Sequence, residues 1–270
     1  MSAKETFGDV TAEVNGHVAI IRLNRPEKLN ALSYDLMQGL ADAGAWVNSN
    51  VNIRAVVLAG EGRCFCAGMD MENFKKGEFI DLHPRTHGIT NIFQQAAWAW
   101  RECRVPVIAA LQGAAIGGGF QIALGADIRI AHPQTKMSIM EMKWGLIPDM
   151  AGMALMSHLA SEDLVRELTY TARMFDAATA QSYGFVTHLS DTPFDDAMAL
   201  ATEIASKNPD AIIAAKALLN EVSDARASEI LKRESELQSE VLSAPNQREA
   251  VMAAFEDRPA NFANYKNQSS

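Results

Sequence analysis

Apolar residues near the start of the chain come in short runs. Residues 10–14 and 18–23 flank Asn15 and Gly16. Asn-Gly readily takes the positive φ angles of a tight turn, so the pattern predicts an antiparallel hairpin. After the polar stretch NRPEKLN, Ser33 is placed to cap a helix in which Leu36, Leu40 and Val47 share one face. Residues 54–59 (RAVVLA) read as a buried strand closed by Gly60 and Gly62, and residues 64–70 (CFCAGMD) as a short strand entering a glycine turn. Residues 75–87 are polar and mixed, with Gly77 and Pro84, and predict a loop. A helix over 89–102 then leads to an apolar strand at 106–111. Gly117, Gly118 and Gly119 follow, and residues 120–124 continue at helical spacing. Beyond them the pattern predicts a strand at 126–131, an extended piece at 136–142, a turn at 144–149 and a helix over 151–159 with Asp149 at its N-cap.

From Ser161 the pattern turns helical. Ser161 and Asp176 have the chemistry of N-caps, and segments 193–207, 209–222, 225–242 and 246–255 read as amphipathic or charged helices. The fold class is therefore α/β: strand, strand and helix recur, without a sequence repeat, through a core over residues 1–200. A helical region over 201–270 completes the chain. No linker rich in Gly, Ser or Pro separates the two parts. The tail is expected to fold over the core or against another subunit.

Composition narrows the function classes. With 270 residues, 48% hydrophobic and 21% charged, the chain can bury a full core. A formal net charge of −9, with no dense run of Lys and Arg, argues against a nucleic-acid surface. Cys64, Cys66 and Cys103 are too few for a disulfide framework or a four-ligand zinc site, which points to a reducing compartment. Neither a leader nor a membrane span is read from the pattern, so a cytosolic protein is expected.

The richest chemistry sits in the triple glycine. Amide N–H groups left uncovered by side chains, at the start of a helix, can hold a developing anion; close packing of helix on sheet is the alternative reading. No Gly-x-Gly-x-x-Gly is completed there and no Lys-Ser or Lys-Thr follows, which excludes the two common nucleotide loops. Other clusters say less. His83 and His87 stand four apart but lack a third ligand, so no metal is expected. Cys64 and Cys66 read as a buried thiol pair flanking Phe65 on a strand. Trp98 and Trp100 read as core or pocket lining, and Trp144 as a neighbour of Glu141.

Taken together, VAIIRLNRPEKLNALS, RAVVLAGEGRCFCAGMD, GAAIGGGFQIALGADIRIA, MEMKWGLIPD, DAATAQSYGFV and AAFEDRPANF are recognisable, and the chain resembles the crotonase superfamily, the enoyl-CoA hydratase/isomerase group. The resemblance implies a spiral of β-β-α units and assembly as a trimer or a dimer of trimers. It also implies an acyl-CoA thioester as substrate, with coenzyme A entering as part of that substrate and no separate cofactor. An enolate oxygen would be held by the backbone N–H groups of Met69 and Gly118. The implied CoA contacts are Lys28 near the phosphates, backbone groups of Ala67 and Met69 beside the adenine, Gly68 and Asp70 in the same turn, and Arg258 toward a neighbouring subunit's CoA.

At the positions where hydratases of that group carry two glutamates, this chain has Gln121 and Glu141. Gln121 can hold a water or a substrate by hydrogen bonds but cannot exchange a proton near neutral pH. Glu141 lies among Met137, Ile139, Met140 and Met142, surroundings that raise a carboxyl pKa; an ordinary glutamate on a half-buried strand is the alternative. Asp149, eight residues on, occupies the place of a catalytic aspartate in dienoyl-CoA isomerases, or else it only caps a helix. One glutamate suffices for a 1,3 proton shift. The residues therefore favour double-bond isomerisation of an enoyl-CoA over hydration of a 2-enoyl-CoA, with a catalytically silent CoA- or partner-binding protein as the rival from another class.

Overall fold

The computed structural model describes residues 4–70, 81–224, 227–242 and 244–262. Residues 75–80 of the predicted loop, Gly77 included, and the first two residues of the helix predicted over 225–242 lie outside them. The hairpin forms as the apolar runs require. Strands β2 (Val10–Asn15) and β3 (Val18–Leu23) pair antiparallel about Gly16, which has φ 61°, and a short β1 (Glu5–Phe7) adds to the outer edge. From β3 onward the sheet is parallel. β4 (Ala55–Gly60), β5 (Val107–Leu111), β7 (Ile128–Ala131) and β10 (His188–Leu189) complete seven strands in the order β1-β2-β3-β4-β5-β7-β10. Both faces of the parallel part are buried, which explains why those strands read as continuous apolar runs.

One face is covered by α1 (Tyr34–Ser49), α2 (Ile92–Glu102) and α3 (Gly118–Gly125), which carry the larger core around Leu36, Leu40, Val47 and Trp100. Ser33 caps α1, its Oγ accepting from the Leu36 amide at 3.0 Å, and Asn91 and Gln94 close a capping box on α2. The other face is covered by α7 (Pro193–Ala205), whose Ala197, Ala201 and Ala205 let it approach Val57, Ile108 and Ile130 closely. A second sheet, β6-β8-β9 (Ala114–Ile116, Lys136–Ser138, Phe175–Asp176), stands beside the first.

Three local expectations are corrected. Residues 64–70 form isolated bridges, Cys66 to Ala115 and Met69 to Leu32, and not a strand. Strand β8 stops at Ser138, because Met140 takes an α conformation and Gly145 closes a 3-10 turn over Glu141–Trp144, so Glu141 is not on a strand. Helix α4 spans Gly152–Met156 and is preceded by Ala151 at φ 65°; Asp149 is not its N-cap residue.

After α5 (Glu162–Thr171) and α6 (Ala177–Tyr183, capped by Asp176), the late helices α8 (Pro209–Ser223), α9 (Ala227–Val241) and α10 (Pro245–Phe255) return to the core. α9 packs on α4, and α10 packs on the 3-10 turn of Glu141. Lys216 anchors α8: its buried Nζ donates to the carbonyls of Trp100 (3.2 Å) and Val105 (3.0 Å) and to Asp127 Oδ2 (2.7 Å). Removing one partner from such a buried pair costs about 3 kcal/mol. Lys216→Met is therefore expected to lower the free energy of unfolding in urea by about that much, whereas a loss within experimental error would mean that α8 is not held by this contact.

Candidate active site

Two glycine turns meet at the end of the parallel strands. Asn30, wholly buried, donates from Nδ2 to the carbonyls of Glu61 (3.0 Å) and Cys64 (2.7 Å), which draws the RPEKLN segment onto the chain entering the first turn. The Leu32 amide donates to the Gly68 carbonyl at 2.8 Å and the Asp70 amide to the Leu32 carbonyl at 3.1 Å. Gly68 itself has φ 94°, and a Cβ there would lie 2.9 Å from the Ile116 carbonyl oxygen. In the second turn Gly117 bends at φ 53° to start α3, and a Cβ on Gly119 would lie 2.7 Å from Cys66. Side chains at these glycines would push the turns apart. Leu32 bridges to Met69, just past Gly68, and the Leu32 side chain abuts Gly118, the opening residue of α3, where the helix leaves its first N–H groups without intrahelical partners.

A buried side-chain hydrogen bond at the site joins Gln121 and Glu141. Gln121, on α3 and 1% exposed, accepts at Oε1 from the amides of Met150 and Gly152, both at 2.9 Å. That fixes the orientation of its carboxamide, because the NH2 must point the other way, and it donates to Glu141 Oε1 at 2.6 Å. Glu141 is also buried, and its Oε2 has no hydrogen-bond partner among the described residues. Burial pushes its pKa up to about 7, against hydrogen bonds from its own and Met140's backbone and from Gln121 that pull it down. Glu141 lies directly against the second glycine turn: a Cβ on Gly117 would meet its Oε1 at 3.2 Å. A proton acceptor with one oxygen tied and one open therefore abuts the turn.

Asp149 belongs to the same neighbourhood. Burial, and then the nearby Glu141 carboxylate, push its pKa upward. The amides of the segment after it are held from two sides. Gln121 takes those of Met150 and Gly152, and Glu234 on α9 takes that of Ala151 at 3.0 Å and that of Met153 at 3.1 Å. Gln238, one turn along α9, accepts from the Ile147 amide at 3.1 Å.

Glu234 and Gln238 are absent from the sequence reading, and the reason is physical. The inner face of α9 is made of Leu231, Glu234, Ser235 and Gln238, all buried, so a polar stripe faces the core and the helix reads as merely charged. The one signal available is negative: helix α4 opens without a capping side chain in its own sequence.

Lys28 is exposed in a 3-10 turn over Pro26–Lys28. Ala67 is half-buried, and the Asp70 carboxylate is turned to Arg25, whose Nη2 donates to it at 3.1 Å. Arg258 follows α10 and pairs within its own chain with Glu249 (2.6 Å) and Glu256 (2.5 Å). Trp144 lies in the turn begun by Glu141, its ring 6.4 Å from that of Phe255. His83 is paired with Asp81 at 2.9 Å. All three cysteines are free and buried, and burial pushes the Cys66 thiol up to about 12. Trp98 and Trp100 are core residues, the Trp100 indole donating to the Ala96 carbonyl at 3.1 Å.

Comparison with known proteins agrees with this geometry. The family model for enoyl-CoA hydratase/isomerase matches residues 13–266. The enoyl-CoA hydratase EchA19 of Mycobacterium tuberculosis is 32% identical over 98% of this chain and 100% of its own length. The mitochondrial methylglutaconyl-CoA hydratase of Mus musculus is 28% identical over 93% of this chain and 81% of its own. Among solved structures, an enoyl-CoA hydratase/isomerase from Pseudoalteromonas atlantica superposes with a TM-score of 0.84 at 29% identity, covering 94% of this chain and 100% of that one. The glycine turns, the buried glutamate behind them and these full-length matches agree: the chain belongs to the enoyl-CoA hydratase/isomerase family.

Proposed function

We propose that the protein is an acyl-CoA enzyme that shifts the double bond of a 3-enoyl-CoA to the 2 position, with Glu141 as the base. The observation that carries this reading is the asymmetry of Glu141: Oε1 is held by Gln121 while Oε2 is buried and unpartnered. A buried carboxylate oxygen with no protein hydrogen-bond partner, beside an N–H-rich turn, suits removal of a proton from C2 of a thioester. The amides of Met69 and Gly118 take the negative charge on the thioester oxygen, each donor contributing about 3 kcal/mol to the transition state. The dienolate is then protonated at C4. CoA lies along the edge that carries Lys28, Ala67, Gly68 and Asp70. In an assembly of trimers Arg258, which pairs with Glu249 and Glu256 of its own chain, reaches toward a neighbouring subunit's CoA.

Hydration is the second reading, favoured by the names of the relatives. It needs a group that orders and deprotonates water. Both lone pairs of the Gln121 carbonyl are engaged by backbone N–H groups and one amide hydrogen by Glu141, so Gln121 retains only a donor for a water oxygen. The arrangement supports proton shuttling at carbon more readily than addition of water.

Glu141→Gln is expected to lower kcat for isomerisation of a 3-enoyl-CoA by about 10³, the range of a lost general base; retention of a tenth or more of the activity would rule Glu141 out as the base. Glu141 acts as the anion and its pKa is raised to about 7, so kcat/KM is expected to rise with pH through that value and to fall on acidification below it. Gln121→Glu replaces the donor to Glu141 with a second carboxylate, which must share a proton with it. This variant is expected to gain hydration relative to isomerisation, read by loss of crotonyl-CoA absorbance against formation of 2-enoyl product; an unchanged ratio would show that Gln121 does not set the reaction.

A further inference from the structure

Arg25 lies beside the first glycine turn, and the proposed chemistry gives it no task. Its side chain is 16% exposed and that of Asp70 11%. The three nitrogens of the guanidinium reach three parts of the chain. Nη1 donates to the Ala31 carbonyl at 2.5 Å, Nη2 donates to Asp70 Oδ2 at 3.1 Å, and Nε lies 3.3 Å from Asp9 Oδ2. Asp9 in turn accepts at 2.8 Å from the hydroxyl of Ser33, the cap of α1. The Arg25 backbone is fixed as well: its amide donates to Asn30 Oδ1 at 2.8 Å, and the Asn30 amide donates to its carbonyl at 2.9 Å. The rigid guanidinium fork holds Ala31 and Asp70 at a set separation, which a flexible ammonium does not.

Ala31 and Asp70 flank the contact that sets the direction of the Met69 N–H. Their segments run side by side. The Ala67 amide donates to the Leu29 carbonyl at 3.0 Å, the Leu32 amide to the Gly68 carbonyl at 2.8 Å and the Asp70 amide to the Leu32 carbonyl at 3.1 Å. The Gly68 carbonyl therefore points at Leu32. The peptide joining Gly68 to Met69 is trans, so its C=O and N–H point in opposite directions and the Met69 N–H points away from Leu32. Leu32 also meets the second turn, its Cδ1 2.6 Å from where a Cβ on Gly118 would lie. Both neighbours of Leu32 are held through Arg25: Ala31 directly, and Ser33 by way of Asp9. One guanidinium thus ties the residue before Leu32 to the residue after Met69.

We infer that Arg25 is a positioning residue for the oxyanion site: by clamping Ala31 to the Asp70 carboxylate it aims the Met69 N–H at the thioester oxygen. This rests on the reading above, in which the Met69 and Gly118 amides hold that oxygen. Arg25 acts through the Met69 peptide and not on a reacting atom. Without it the segments 29–32 and 67–70 shift against one another, and the Met69 donor leaves the line that the enolate oxygen requires.

The test reads the carbonyl itself. Butyryl-CoA labelled with carbon-13 at the thioester carbon has no double bond to shift, and its carbonyl band is followed by difference infrared spectroscopy in water and on the protein. On the wild-type protein the band is expected at lower wavenumber than in water, because two aimed donors polarise the C=O. In Arg25→Met, and to a smaller extent in Arg25→Lys, the band should return part of the way toward its position in water. In Arg25→Met kcat for isomerisation of a 3-enoyl-CoA should fall about tenfold, less than the roughly 10²- to 10³-fold cost of losing a whole oxyanion donor, with KM little changed. A merely structural ion pair would lower stability and leave the band of the bound thioester in place. If Arg25→Met does not fold, Arg25→Lys, which keeps the charge, gives the reading. A displaced band in the wild type that neither variant moves would overturn the inference and leave the oxyanion reading standing. An undisplaced band in the wild type would reject both. Band shifts as expected in a protein without isomerase activity would support the clamp and reject only the reaction.

Discussion

The site depends on the Gln121 carboxamide being committed at both ends. Its oxygen gathers the amides of Met150 and Gly152, and its nitrogen holds Glu141. One uncharged side chain therefore caps the approach to α4 and ties down half of a buried carboxylate. A neutral donor stabilises the Glu141 anion without adding a second charge in a desolvated site, where two neighbouring carboxylates would have to share a proton. Burial raises the Glu141 pKa to about 7, and its other oxygen stays open.

The late helices complete what α3 begins. α9 brings a polar inner face, and Glu234 and Gln238 collect the amides of Ala151, Met153 and Ile147, so the segment from 147 to 153 is held by two helices that lie far apart in sequence. Polar groups buried in this way stabilise only if all are satisfied, and Gln94, Asn91 and Ser235 extend the network: Asn91 Nδ2 donates to Ser235 Oγ at 3.0 Å. The segment bearing Asp149 is thus fixed by hydrogen bonds and not by its own helix propensity.

Legibility in the sequence followed the range of the forces involved. The hairpin at Gly16, the Ser33 cap and the apolar parallel strands were readable, because each is set by residues within a few positions of one another. The pairing of Gln121 with Glu141 was approached through family motifs, since nothing local joins residues twenty apart. The 3-10 turn at Glu141 and the left-handed Ala151 were misread: their conformations are decided by contacts with α10 and by the donors taken by Gln121 and Glu234. Glu234 left no trace in hydrophobic periodicity, because its helix buries a polar stripe.

The central claim, that a lone open carboxylate oxygen makes this site a proton shuttle at carbon before it is a water-adding site, is tested most directly by one paired assay on the purified protein. Isomerisation of a 3-enoyl-CoA and hydration of crotonyl-CoA are followed side by side under the same conditions. The account predicts a higher kcat/KM for isomerisation; hydration that is as fast or faster would contradict it.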